Sequence, residues 1–187
     1  MPPRIKVTKA EIVAAAVEIV RRDGAEALNA RAVAEYLCCS TQPVFSNFET
    51  MDVLRLAVVN AANALYGEYV KEEMASQKYP PYKATGMAYI RFAREEKSLF
   101  KLLYMRDRSA EDVPAETEET KAMAAFVQDN TGVSADRASL FHLEMWAYVH
   151  GIATMMATNY LELDTDLVSR MLTDAFQGLK KRYEERG

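Results

Sequence analysis

The stretch that decides the fold reads Asn29-Ala30-Arg31-Ala32-Val33-Ala34-Glu35-Tyr36-Leu37-Cys38-Cys39-Ser40-Thr41-Gln42-Pro43-Val44-Phe45-Ser46-Asn47-Phe48. Asn29 can cap a short helix whose apolar face is Ala30, Val33, Ala34 and Leu37. Ser40 can cap another that reaches Asn47, with Pro43 in its first turn, where a missing N–H costs nothing. Only Cys38 and Cys39 separate the two helices, so the link must be a sharp turn. A short helix, a tight turn and a second capped helix make a helix-turn-helix.

Working outward, Thr8-Lys9-Ala10-Glu11 is a capping box. Behind it Ile12, Ala15, Ala16, Ile19 and Val20 repeat at helical spacing, and Gly24 supplies the left-handed stop. Thr50 can cap a fourth helix running through Leu54, Val58, Ala61, Leu65 and Tyr69 to about Ser76. Pro80-Pro81 breaks the chain. Further helices are expected near 82–95, 98–107, 115–130, 135–159 and 165–185, with Ser134 and Asp164 as caps of the last two. The chain therefore reads as all-α, with about nine helices. Three short helices in residues 1–50 form an N-terminal domain, and residues 51–187 form a second helical domain. The last two helices are apolar on more than one side and joined by a short turn, the pattern of an antiparallel pair that packs against a second copy.

Composition sets bounds on function. Half the 187 residues are hydrophobic and 27% are charged, as in a soluble globular protein. Residues 145–161 lack Asp, Glu, Lys and Arg but carry His150, Gly151 and Asn159 and fall short of a roughly 20-residue membrane span. The apolar run near the start is cut by Glu18 and followed by no small-residue cleavage site, so no signal peptide is expected. Cys38 and Cys39 are the only cysteines and are adjacent, which excludes a disulfide framework and fits a reducing cytoplasm.

The net charge is −4. Residues 1–55 hold seven basic and seven acidic side chains, and are neutral. Any affinity for nucleic acid must then come from the placement of individual side chains.

Taken together, Ile12-x-x-Ala15-Ala16, Gly24, Ala30-Arg31-Ala32-Val33-Ala34, Ser40-Thr41-Gln42-Pro43-Val44-Phe45, Phe48 and Leu54 resemble the DNA-binding domain of TetR/AcrR regulators. Trp146-Ala147-Tyr148-Val149-His150-Gly151 resembles a W-x-x-x-H-G signature of one subgroup, as does Phe100-Lys101-Leu102-Leu103-Tyr104-Met105. The resemblance implies a cytoplasmic homodimer that binds double-stranded DNA and a small-molecule effector. It further implies a repressor released from a palindromic operator by a small apolar or aromatic ligand.

A helix fits the major groove, where each base pair displays its own donor and acceptor pattern. Thr41 and Gln42 open the third helix, and Gln can pair bidentately with adenine. Pro43 can offer apolar contact to a thymine methyl, and Ser46 and Asn47 follow one turn later. The resemblance places Ser40, Phe45 and Asn47 near the backbone or groove edge. Arg31 is expected on a phosphate, and Arg4, Lys6 and Lys9 along the backbone or in the minor groove. Three departures from the family pattern weaken anchoring. Cys38 stands where glycine is usual, at a cost of about 1 kcal/mol for a left-handed residue. Phe45 lacks a tyrosine hydroxyl, and Met51 replaces a phosphate-binding lysine.

Aromatic and methionine side chains recur downstream at helical spacing, mostly as a core. In this family such helices enclose an effector cavity, and the expected lining is Tyr89, Phe92, Phe100, Tyr104, Met123, Phe126, His142 and Trp146. His142 and His150 are eight residues apart, twice the spacing a helical metal pair prefers, and no third ligand is placed to join them. No nucleophile–base pair, metal spacing or Gly-rich phosphate loop points to an enzyme, and no cofactor is expected. The rival reading, motivated by the neutral domain and Met51, is a helical ligand-binding protein without DNA affinity.

Overall fold

The computed structural model describes residues 7–107 and 118–185. Among these residues the chain is helical throughout, with nine α-helices, one 3-10 turn and no strand. The helices are α1 (Lys9–Asp23), α2 (Ala30–Tyr36), α3 (Gln42–Asn47), α4 (Met51–Ala75), α5 (Pro81–Glu95), α6 (Lys97–Tyr104), α7 (Glu118–Thr131), α8 (Ala135–Ala157) and α9 (Thr165–Glu184). They fall into two compact units that do not follow chain order. Unit 1 is Met1–Gly67 with Glu96–Arg106, and unit 2 is Glu68–Glu95 with Asp107–Gly187.

Unit 1 is built on α1. The Thr8 box is formed as its residues dictate: Glu11 N–H donates to Thr8 Oγ1 at 3.2 Å, and Thr8 N–H donates to the Glu11 carboxylate at 2.7 Å. Those bonds hold the Glu11 carboxyl below the ordinary range. Gly24, at φ 88°, ends the helix with its N–H on the Val20 carbonyl. Ile12, Ala16 and Val20 are fully buried, and α1 packs against α2, α3 and α6. The join to α6 includes an ion pair between Arg21 Nε and Glu96 at 2.8 Å. The 3-10 turn Ala25–Ala27 then leads into α2.

The corner between α2 and α3 follows from three residues. The Asn29 side chain accepts from the N–H groups of Arg31 and Ala32 at 3.1 and 3.0 Å, fixing the start of α2. At its end Cys38 takes φ 50°. Cys39 N–H then reaches the Ala34 carbonyl at 2.9 Å and Cys38 N–H the Glu35 carbonyl at 3.1 Å, which is a Schellman closure. The same closure ends α8, where Asn159 at φ 58° serves in place of cysteine. Asparagine tolerates that region better than cysteine, so the α2 end is the strained one.

One cap differs from expectation. Ser40 does not cap α3; the residue before the helix is Thr41, and no side chain bonds the first amides. Thr41 is already in helical conformation (φ −71°, ψ −13°), which turns its hydroxyl away from the N-terminal N–H groups. Pro43 stands in the first turn as the sequence predicts. Val44 and Phe48 are buried and fix α3 to the unit. Thr50 caps α4 through Val53 N–H at 3.3 Å.

In unit 2, α5 packs against α7, α8 and α9, and α8 against α7 and α9. The core gathers Tyr82, Val127, Val133, Ala138, Phe141 and Met145, with Phe126, Phe176 and Tyr183 packed on it. Phe141 meets Phe176 and Tyr183 edge-on at 5.7 and 5.4 Å between centroids. Lys83 donates to Ser169 Oγ at 2.7 Å and Thr173 Oγ1 at 2.8 Å, tying α5 to α9. Asp164 caps α9 through Leu167 N–H at 2.8 Å, whereas Ser134 precedes α8 without a side-chain bond. No helix among the described residues is long and apolar enough to cross a membrane.

Candidate nucleic-acid interface

The helix-turn-helix turns one face inward and leaves the other uncovered. Val44 and Phe48 are the inward residues of α3. Gln42, Phe45 and Ser46 are exposed, as is Ser40 ahead of them, while Thr41, Pro43 and Asn47 are half-buried. Phe45 leaves 55% of its area in solvent, although it is among the largest side chains of the segment. Two donors of α3 are spent within the helix. Ser46 Oγ donates to the Gln42 carbonyl and Asn47 Nδ2 to the Pro43 carbonyl, both at 2.8 Å. The acceptor oxygens of both side chains stay available, and the Gln42 amide makes no bond within the described chain.

The electrostatics of this corner separate its cations. Arg22 is held by Asp23 at 2.6 Å, Arg55 by Asp52 at 2.8 Å, and Arg21 by Glu96 and Glu18. Lys9 lies over the Phe48 ring, 5.0 Å from its centroid. Arg31, exposed in the first turn of α2, has no carboxylate within ion-pair distance among the described residues. Its charge is the one in residues 7–55 that no acid or ring engages. Lys6 and Arg4 lie outside the described residues.

The downstream candidates divide into groups. In unit 2, Tyr89 is buried with its hydroxyl 2.9 Å from His150 Nδ1, and Trp146 stacks on His150 at 4.8 Å. Phe92 is fully buried, edge-on to Tyr69. Met123 and Phe126 pack with the core cluster, and His142 Nδ1 lies 3.1 Å from the Tyr82 hydroxyl. Burial pushes the Tyr82 phenol up and the His142 imidazole down, which favours the uncharged form of both. Phe100 and Tyr104 belong to unit 1, 5.1 Å apart between centroids. Six of the eight candidates therefore lie in unit 2 and two in unit 1.

Two features go beyond the roles assigned from sequence. One is the outer face of α8, where Leu140, Leu143, Trp146, Ala147 and Gly151 are all exposed. Their apolar character was legible, but which side faces solvent was not. The other is a cavity in unit 2 between the end of α4, α5 and the start of α9. No group of three or more His, Cys, Asp or Glu among the described residues is arranged for a metal ion.

A helix-turn-helix on a small helical unit, carried by a chain with a second helical unit of its own, defines a DNA-binding regulator of the one-component kind. Residues 82–176 match the family model described as tetracyclin repressor-like, C-terminal domain. That match covers half the chain and lies wholly outside the helix-turn-helix, so it is independent of the N-terminal pattern. The chain belongs to the TetR family. A solved structure of a TetR-family member from Streptomyces coelicolor A3 shares the fold, with a TM-score of 0.64 and 18% identity over 89% of this chain and 96% of that one. No curated protein matches the sequence.

Proposed function

We propose that this TetR-family regulator is a cytoplasmic homodimeric repressor, released from a palindromic operator by a small apolar or aromatic effector. Residues 1–50 carry the DNA contacts, and residues 51–187 carry the effector and the dimer contacts. The observation that carries the DNA assignment is Arg31. Exposed and unpaired beside α3, it suits a phosphate, while every other cation described in residues 7–55 is already engaged. Gln42 reads a base, with Thr41, Pro43 and Ser46 beside it, and Ser40, Phe45 and Asn47 follow the backbone or groove edge. Lys6 extends this set along the N-terminal arm.

The exposed stripe Leu140, Leu143, Ala147 and Gly151 on α8 supports self-association, because a second copy can bury it isologously. Two α3 helices in such a dimer would enter major grooves about 34 Å apart. The ring and thioether groups at Tyr89, Phe92, Met123, Phe126, His142 and Trp146 supply adaptable apolar surface for the effector. Effector and DNA then oppose each other by linkage, since each favours a different separation of the two α3 helices.

Gel shift with DNA from upstream of the gene tests this reading. The wild-type dimer retards that fragment at low salt. Arg31→Ala weakens binding to all sequences alike and makes the salt slope shallower by about one, while Gln42→Ala relaxes sequence preference. Equal loss of preference in both variants would contradict this division of roles. A folded dimer that retards nothing at low salt would overturn the DNA reading in favour of a ligand-binding protein.

A further inference from the structure

We propose that unit 2 holds a site for a small organic carboxylate, distinct from the aromatic effector residues named above. The site is a cavity of about 220 Å³ between the end of α4, α5 and the start of α9. Its wall carries Lys78, Arg91 and Arg94 together with Glu73. Acids act on Lys78 and Arg91, which leaves Arg94 as the cation able to attract an anion.

Two arginines on α5 behave differently. Arg91 is neutralised by Glu72 at 3.0 Å, Glu95 at 3.2 Å and Glu73 at 3.5 Å. Arg94, one turn on, has no carboxylate within ion-pair distance among the described residues, and its Nη1 donates only to Thr165 Oγ1 at 3.2 Å. The Tyr79 hydroxyl is buried in the same wall, with the Lys78 ammonium as its electrostatic partner and no acceptor within hydrogen-bonding distance. The ammonium groups of Lys78 and Lys83 lie over the Tyr79 ring, 5.2 and 5.0 Å from its centroid. Ammonium groups only donate, so the phenol proton still lacks an acceptor. A carboxylate supplies what both groups miss: an acceptor for Tyr79 and a counter-charge for Arg94.

The rest of the wall selects an organic acid over an inorganic ion. Met87, Ile90 and Val168 are buried apolar side chains that offer nothing to a bare anion but suit a short aliphatic or aromatic tail. The volume lies below the roughly 300–1,000 Å³ of drug-sized pockets, which limits the tail to a small one. Arg94 and Lys83 both tie α5 to α9. A carboxylate held by Arg94 clamps the start of α9 to α5, and its effect on assembly rests on the reading of α8 and α9 as the dimer helices.

Calorimetric titration of the full-length protein, free of DNA, with sodium hexanoate and sodium benzoate tests the site. Their neutral counterparts 1-hexanol and benzamide serve as controls. At least one acid should bind saturably, with its counterpart about tenfold weaker or worse. Arg94→Gln should weaken the acid about tenfold, Arg94→Lys less, and Tyr79→Phe by a smaller factor. Amide shifts on binding should map to α5 and the start of α9. The proposal is overturned if neither acid saturates, if acid and neutral compound bind alike, if Arg94→Gln leaves affinity unchanged, or if the shifts centre on Trp146. Because no DNA is present, the outcome is independent of the gel-shift result.

Discussion

α3 and α8 both leave a face uncovered, and the two faces have opposite chemistry. The free side of α3 carries an amide, a hydroxyl and one ring, Phe45, and α2 adds the unpaired cation Arg31. The free side of α8 carries Leu140, Leu143 and Trp146. Polar groups already in water lose little by exposure and gain only from a partner that matches them group by group, as base edges and phosphates do. An apolar stripe gains from any partner that removes it from water, and a second copy is always at hand. On the proposed reading, one helix serves a specific polyanion and the other the protein itself. The lesson is that an uncovered surface names its partner by chemistry, not by area.

The largest test of this contrast lies on the two sides of α8. Phe141 is fully buried, and Phe141→Ala should cost about 3–5 kcal/mol of unfolding free energy, read by denaturant titration. Leu143, two residues on, is 57% exposed. Leu143→Glu should leave the fold within about 0.5 kcal/mol yet weaken self-association by about 2 kcal/mol, read by sedimentation. If Leu143→Glu unfolds the protein or leaves assembly untouched, the two faces of α8 do not differ as described.

The α2–α3 corner gives a smaller effect. Cys38 holds φ 50° where a glycine would be unstrained, so Cys38→Gly should stabilise the protein by about 1 kcal/mol in a thermal melt. No gain would mean that the Cys38 side chain contributes as much as the strain costs. The smallest effect is on pH. Burial lowers the His142 and His150 imidazoles, so the folded state favours their neutral forms. The unfolded chain binds more protons in that range. Stability is thus full above the unfolded value of about 6.5 and declines as pH falls through it toward the folded value. Replacing His142 by glutamine should flatten the decline between pH 7.5 and 5, and an unchanged slope would show that carboxylates govern it.

Much of this was legible in the residues. The Thr8 box, the Gly24 stop, the Asn29, Thr50 and Asp164 caps and the Pro80-Pro81 break are each decided within a few neighbouring residues. The cap expected of Ser40 at α3 is absent: Ser40 and Thr41 are both suited by type, but the backbone leaves the first amides without a side-chain acceptor. Most DNA-side candidates cluster within Ser40 to Asn47, so the helix that carries them could be named. The aromatic candidates are spread over four helices, and periodicity alone does not say which rings meet.

What the sequence by itself determined is the set of helices, most of their ends, the helix-turn-helix and the family pattern, because capping, periodicity and turn chemistry act over a few residues. Only the tertiary structure decided that α6 belongs with α1, that Arg31 is free while Arg21, Arg22 and Arg55 are paired, and that Arg94 and Tyr79 share a cavity wall. Those facts depend on distances between residues far apart in the chain, or on which of several nearby acids a cation reaches. No local pattern encodes either.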